Sequence, residues 1–284
     1  MGIAVALFGA GGKMGCRITD NLKDSGYEMM YVEVSEAGIE RLRQRGLATV
    51  LHEDAVRRSE IAILALPDAL IGKIAPAIVP GLKTGAIVIC LDPAAPYAEE
   101  LPKREDITYF ITHPCHPPVV NDETDLEARR DFFGAIKAKQ NIVCALMQGP
   151  ESDYAKGEEI TRRMFAPVMK AHRVTVEQMA MLEPALSETV VATCMTVIRE
   201  AIDESVRRGV PAEAARDFIL GHINVDIGIL FGYVGSPFSD GCLMAIERGK
   251  KEIFQPDWRK VFEPEYILRE IQAITQGGSS AKPA

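Results

Sequence analysis

The stretch Ile3-Ala4-Val5-Ala6-Leu7-Phe8 runs directly into Gly9-Ala10-Gly11-Gly12-Lys13-Met14-Gly15, and the architecture of the first half of the chain follows from this junction. Six apolar residues make a short buried strand. The glycines then permit a tight turn and a close approach of backbone to an anion, and an amphipathic helix follows over Lys13–Ser25. Strand, glycine loop and helix together form a cradle for a pyrophosphate, whose charge sits at the helix N-terminus. Glu33 lies 18 residues beyond Gly15, at the end of the next apolar run. A carboxylate there accepts the hydroxyls of an adenosine ribose and repels a 2′-phosphate, which points to NAD over NADP. Gly9, Gly11, Gly12, Lys13, Met14 and Glu33 are therefore the expected cofactor contacts. The turn Leu66-Pro67 is expected to pass beneath the nicotinamide ribose. His52 lies on the adenine side or on a surface loop.

Outward from this junction, short β-branched runs alternate with helical patterns. Ile3–Phe8, Glu28–Val34, Ile61–Leu66, Ala86–Leu91, Ile107–Thr112 and Asn141–Met147 read as strands, and Ala37–Arg45, Ala69–Val79 and Ser152–Val168 as intervening helices. Such alternation predicts parallel pairing through right-handed crossovers, hence an α/β, doubly wound Rossmann-type sheet. Beyond about Glu177 the strand signals stop. Long apolar helical patterns cover Met179–Arg208 and Ala212–Tyr233, separated by Arg208-Gly209-Val210-Pro211, and a third helix covers Pro264–Thr275. Gly ends a helix and Pro opens one. The chain thus reads as a nucleotide-binding domain over 1–177, an all-helical substrate and dimerisation domain over 178–276, and a mobile tail over 277–284.

Of 284 residues, 47% are hydrophobic and 25% charged, with a formal charge of −8. That content supports a packed core and excludes wholesale disorder. The acidic balance disfavours nucleic acid and anionic membranes as partners. Cys16, Cys90, Cys115, Cys144, Cys194 and Cys242 are scattered without a Cys-x-x-Cys pair and read as reduced thiols. No apolar run reads as membrane-spanning, and residues 1–10 lack the basic leader of a signal peptide. A cytoplasmic protein is expected.

Polar residues at positions where the pattern is apolar mark the chemistry. His113-Pro114-Cys115-His116-Pro117-Pro118 follows a strand, where loops line the ligand crevice of a doubly wound sheet, and its three prolines restrain both imidazoles. His113 suits proton transfer or a hydrogen bond to substrate. His116 suits the same or a metal, and either ring alone can simply cap the strand. Glu183, Ser187 and Glu188 interrupt an apolar helix, and Glu188, just before Thr189-Val190-Val191-Ala192, is expected to face the interior or a cleft. His222 and Asp226, four apart on one helix face among isoleucines, read as a buried structural pair or as part of a catalytic cluster. Ser236–Gly241 is either a turn or a holder for a substrate carboxylate.

The strand–GxGGxMG–helix unit, Glu33, Ala65-Leu66-Pro67, Thr112–Pro118, Glu183–Glu188 and Phe238-Ser239-Asp240-Gly241 together resemble the 6-phosphogluconate dehydrogenase and ketol-acid reductoisomerase superfamily. The resemblance covers nearly the whole chain. It implies an NAD-dependent oxidoreductase acting on the CH–OH group of a branched sugar acid, with a metal-assisted 1,2-shift. Catalytic residues would be His113, His116, Glu188 and His222, with His116, Glu188 and His222 on a divalent ion such as magnesium, and a homodimer as the assembly. Phe218 stands where the reductoisomerases have a further acidic ligand, and Cys115 where they have a lysine, so a single ion is expected rather than two. Two other readings are a β-hydroxyacid dehydrogenase without rearrangement and an NAD-sensing protein without chemistry. The first generally uses a lysine in the long helix, and none lies between Met179 and Arg208.

Overall fold

Strand β1 (Ala4–Phe8) buries all five of its side chains, because alternate residues enter cores on opposite faces of one sheet. Ala4, Ala6 and Phe8 join Val32, Leu64, Val88 and Ile111 on one face, while Val5 and Leu7 join Tyr31, Ile63, Ile89 and Phe110 on the other. The computed structural model describes residues 2–276; the expected tail, 277–284, lies outside the described residues. The other strands are β2 (Glu28–Val32), β3 (Ile61–Leu64), β4 (Ile87–Cys90), β5 (Thr108–Pro114), β6 (Gln140–Gln148) and β7 (Val168–Arg173). They form one seven-stranded sheet in the order β2-β1-β3-β4-β5-β6-β7.

Helices α1 (Lys13–Leu22), α2 (Glu36–Arg43), α3 (His52–Arg58), α4 (Asp68–Ile78), α5 (Ala94–Tyr97) and α6 (Glu151–Met164) connect and cover the strands. From β1 the chain moves outward to β2 and then returns past β1 to β3. The order reverses at the carboxyl end of β1, which is where ligands enter a doubly wound sheet.

The sheet is mostly parallel, not wholly so. β5 and β6 pair antiparallel, with Thr112 opposite Cys144 and His113 opposite Val143. Their connection contains only a short 3-10 turn, Ala128–Arg130, and lacks the helical crossover that parallel strands require. β7 was not among the expected strands; the helix expected over Ser152–Val168 stops at its first residue. Val-Met-Lys-Ala-His-Arg is half exposed and charged, as an edge strand must be, and so carries little strand pattern.

Packing divides the chain into two units: Met1–Glu183 with Ile267–Ala284, and Pro184–Tyr266. The division falls within one continuous helix, Val176–Arg207, which has α-helical ends, α7 (Val176–Ala180) and α8 (Thr193–Arg207), around a π-helical segment, Met181–Ala192. By length and composition this helix can cross a membrane. Its most apolar 18-residue window has a mean hydropathy of 1.3 and is 11% buried, against the expectation that no run reached that standard. Glu183 and Glu188 break the run by eye, but an average over eighteen residues tolerates them. The second unit adds α9 (Ala212–Leu230) and α10 (Asp240–Ile253), and α11 (Pro264–Thr275) ends in the first. α8 and α10 bury no residue in the single chain.

Candidate active site

The glycine loop is shaped by contacts that no side chain could share. Gly9 has φ +78°, and a Cβ there would lie 2.3 Å from the Ala65 carbonyl oxygen. A Cβ on Gly11 would meet the Gly38 backbone at 2.4 Å, and one on Gly15 the Gly9 oxygen at 2.0 Å. α1 starts immediately afterwards, without a side-chain cap or an acidic residue in its first turn, so its N-terminus suits a phosphate.

Glu33 is bound into this loop. Its Oε2 accepts the Gly11 amide at 2.9 Å, and its Oε1 accepts the Val34 and Ser35 amides at 2.9 Å each and the Ser35 hydroxyl at 3.0 Å. Burial alone would raise the carboxyl pKa, but the hydrogen bonds from Ser35, Val34 and Gly11 outweigh it and hold the group below the usual glutamate range. It stands ionised where a ribose would be received. Arg41 donates Nε to the Gly11 carbonyl at 2.6 Å, so a guanidinium also stands at this loop. Lys13 lies over the Phe133 ring at 3.8 Å, with Arg17 at 5.0 Å. Leu66 packs against the core and Pro67 leads into α4. His52 starts α3 and sits edge-on to Phe8, its ring centroid 5.5 Å away.

His113 ends β5, and its ring is mostly buried. The Pro114 carbonyl, 2.8 Å from Nδ1, can only accept, so Nδ1 carries the proton and Nε2 presents its lone pair. Burial pushes the imidazole pKa down to about 4, opposed only in part by the Pro114 hydrogen bond, and the ring is neutral at pH 7. Facing Nε2 are Glu183 Oε1 at 3.8 Å and Asp92 Oδ2 at 3.9 Å. Asp92 follows β4, and its Oδ1 accepts the Ala94 amide at 2.8 Å. The side chains of Asp92, His113 and Glu183 are each about one-fifth exposed, and one donor atom from each lies within 4.8 Å of the others.

His116 has φ +61°, a left-handed backbone that costs a residue with a Cβ about 1–2 kcal/mol. Its Nδ1 donates to the Phe133 carbonyl at 2.9 Å, which again leaves Nε2 as an acceptor, and its ring stands perpendicular to His113 at 5.9 Å. Both histidines of the proline-stiffened loop are thus fixed in the same tautomer, side by side.

The three expected metal ligands are not gathered within one unit. His116 belongs to the first, Glu188 and His222 to the second. Glu188, expected to face the interior or a cleft, is exposed in the single chain and lies in the π-helical segment. His222 is exposed too. It stacks on Phe218 at 4.0 Å and donates Nδ1 to the Phe218 carbonyl at 2.8 Å. With Asp226 it lines a hollow of about 290 Å³ beside Ile198, Ile202, Ile219 and Ile223. Ser239 caps α10 by accepting the Cys242 amide at 3.3 Å, which is turn chemistry. Sequence reasoning missed Asp92, although an acid two residues past a strand end in a doubly wound sheet is itself a signal.

A dinucleotide loop beside paired histidines at the carboxyl edge of the sheet defines an NAD-dependent oxidoreductase. Residues 1–117 match the acetohydroxy acid isomeroreductase NADPH-binding domain, and residues 121–275 match the C-terminal domain of decarboxylating phosphogluconate dehydrogenase. D-apionate oxidoisomerase of Rhizobium rhizogenes is 57% identical over 272 residues, covering 95% of this chain and 99% of that one. Its counterpart from Cupriavidus necator is 53% identical over the same shares. A crystal structure of a semialdehyde dehydrogenase NAD-binding protein from Cupriavidus necator, in complex with calcium and NAD, superposes with a TM-score of 0.95 at 53% identity, covering 97% of this chain and all of that one. The chain belongs to the D-apionate oxidoisomerase family, within the 6-phosphogluconate dehydrogenase and ketol-acid reductoisomerase superfamily.

Proposed function

We propose that this protein oxidises D-apionate at its C2 hydroxyl with NAD, in preference to NADP, and rearranges the resulting 2-oxo-3-hydroxy acid to 3-oxo-isoapionate. The names of its relatives and the NAD held by the Cupriavidus necator structure support the reading. The observation that carries it is His116, a strained residue whose Nε2 lone pair is fixed by the Phe133 carbonyl beside the buried His113 cluster. Bound NAD supplies the hydride acceptor.

His116 is the base for the C2 hydroxyl proton, positioned by backbone strain that a purely structural residue would shed. In the second step the C3 hydroxyl loses its proton to a base. One hydroxymethyl carbon then moves with its bonding pair from C3 to C2, the C3–O bond becomes a carbonyl, and the former C2 carbonyl oxygen takes up a proton. The step needs that oxygen polarised, and a divalent cation meets the need. The calcium of the Cupriavidus necator structure supports one. Glu188 and His222 are the second unit's candidates for the same reaction, and the active assembly in this reading is a homodimer.

The test is NADH absorbance with D-apionate and NAD, with and without a chelator, with the product identified by NMR. NADH formation with the migrated hydroxymethyl group supports the full reading. NADH with an unrearranged 2-oxo acid reduces the protein to a plain dehydrogenase, and no NADH removes the substrate assignment.

A further inference from the structure

We propose that Asp92, His113 and Glu183 together bind a hard divalent cation, in place of the trio His116, Glu188 and His222; the cation's part in the 1,2-shift rests on the oxidoisomerase reading, its binding does not. The ends of β4 and β5 and the start of the π segment bring these three side chains together.

The His113 ring is held in one tautomer. With the His113 Nδ1 proton committed to the Pro114 carbonyl, the ring offers Nε2 as a lone pair toward two carboxylate oxygens at 3.8 and 3.9 Å. These separations exceed the ordinary N–H···O hydrogen bond of about 2.7–3.2 Å, so the ring is not held by either acid. They match two ligands sharing one ion at about 2.0–2.6 Å from each. A backbone carbonyl on the other ring nitrogen is the usual partner of a metal-ligating histidine, since it fixes both tautomer and ring direction.

Asp92 is oriented the same way: its Oδ1 takes the Ala94 amide, which turns Oδ2 toward His113. Three electron-pair donors, each about four-fifths removed from water, lie within 4.8 Å of one another, and a cation among them would take one ligand atom from each. Two carboxylates and one imidazole favour Mg2+, Mn2+ or Ca2+ over a thiophilic metal. Three protein ligands leave positions for the oxygens of a 2-hydroxy or 2-oxo acid, beside the neighbouring His116.

The experiment is Mn2+ titration of the metal-stripped full-length protein by calorimetry, together with Asp92→Asn, Glu183→Gln and Glu188→Gln, and with NAD affinity measured on each as a check of folding. Asp92→Asn and Glu183→Gln are expected to weaken Mn2+ at least tenfold with NAD binding intact, while Glu188→Gln binds Mn2+ as the unmodified protein does. Unchanged affinity in the first two, loss only in Glu188→Gln, or no binding by the unmodified protein at millimolar Mn2+ overturns the site. Anomalous diffraction from Mn2+-soaked crystals of the unmodified protein decides the matter even if a variant misfolds: a peak between the three side chains supports the site, and a peak elsewhere or none overturns it. Bound Mn2+ without NADH from D-apionate would fault the oxidoisomerase reading alone. NADH without Mn2+ at the trio would fault this site alone.

Discussion

The Glu33 carboxylate holds the Gly11 amide at 2.9 Å across 22 residues of chain, so the acid proposed to receive the ribose also braces the glycine loop. Replacing it removes two functions together. Glu33→Ala is expected to weaken NAD binding by about 1–3 kcal/mol, the loss of charge-assisted hydrogen bonds, without conferring tight NADP binding. Arg41 remains engaged with the Gly11 carbonyl. Fluorescence titration with both dinucleotides checks this, and equal affinities in the unmodified protein would contradict the preference for NAD.

Acid should spare the cofactor site at first. The Glu33 pKa is depressed in the folded protein, so its contribution is present above the ordinary glutamate value and is lost only as pH falls through the lower, folded one. NAD affinity is expected to stay flat from pH 7 to about pH 5 and to decline below the usual glutamate range. A decline centred near pH 6 would mean that a histidine, and not Glu33, governs binding.

The base role proposed for His116 sets stability against turnover. His116→Gly removes the left-handed strain and should raise stability, by about 1 kcal/mol before the greater freedom of glycine in the unfolded chain is subtracted. The same change should lower kcat by roughly 10²–10⁴-fold with NAD affinity unchanged, because the base is gone. Denaturant midpoints and steady-state kinetics on one preparation test both halves. A fully active glycine variant would remove His116 from the chemistry.

The helical unit hides little of its own apolar surface. α8 and α10 bury nothing, and Val191, Phe218, Val225 and Leu230 are each at least half exposed. Patches of this kind mark an interface, and sedimentation at micromolar concentration should give twice the chain mass. A monodisperse monomer would defeat the homodimer.

The first half of the chain was legible because a sheet buried on both faces writes its strands as unbroken apolar runs. All six expected strands lie within two residues of their place at both ends. β7 was not legible: Lys170 and Arg173 on a half-exposed edge carry no such pattern. His113 and His116 stood out as polar residues at a strand end. Asp92 meets His113 only through the alignment of β4 with β5, a relation between distant segments that local spacing does not encode. The interior-or-cleft position expected for Glu188 and the burial expected for His222 followed from apolar neighbours, which in helices that leave such residues as Val191, Phe218 and Val225 uncovered do not imply an interior.

The π segment, in which the Thr189 hydroxyl donates to the Pro184 carbonyl at 2.7 Å, also bears on which mutations the gene can tolerate. Its turns close five residues apart, one more than the four of an α-helix. Deleting one codon within this segment would tighten a wide turn into an ordinary one. Most helices lose their register with such a deletion; this one should accept it, and relatives of different length are expected to differ here by a single residue.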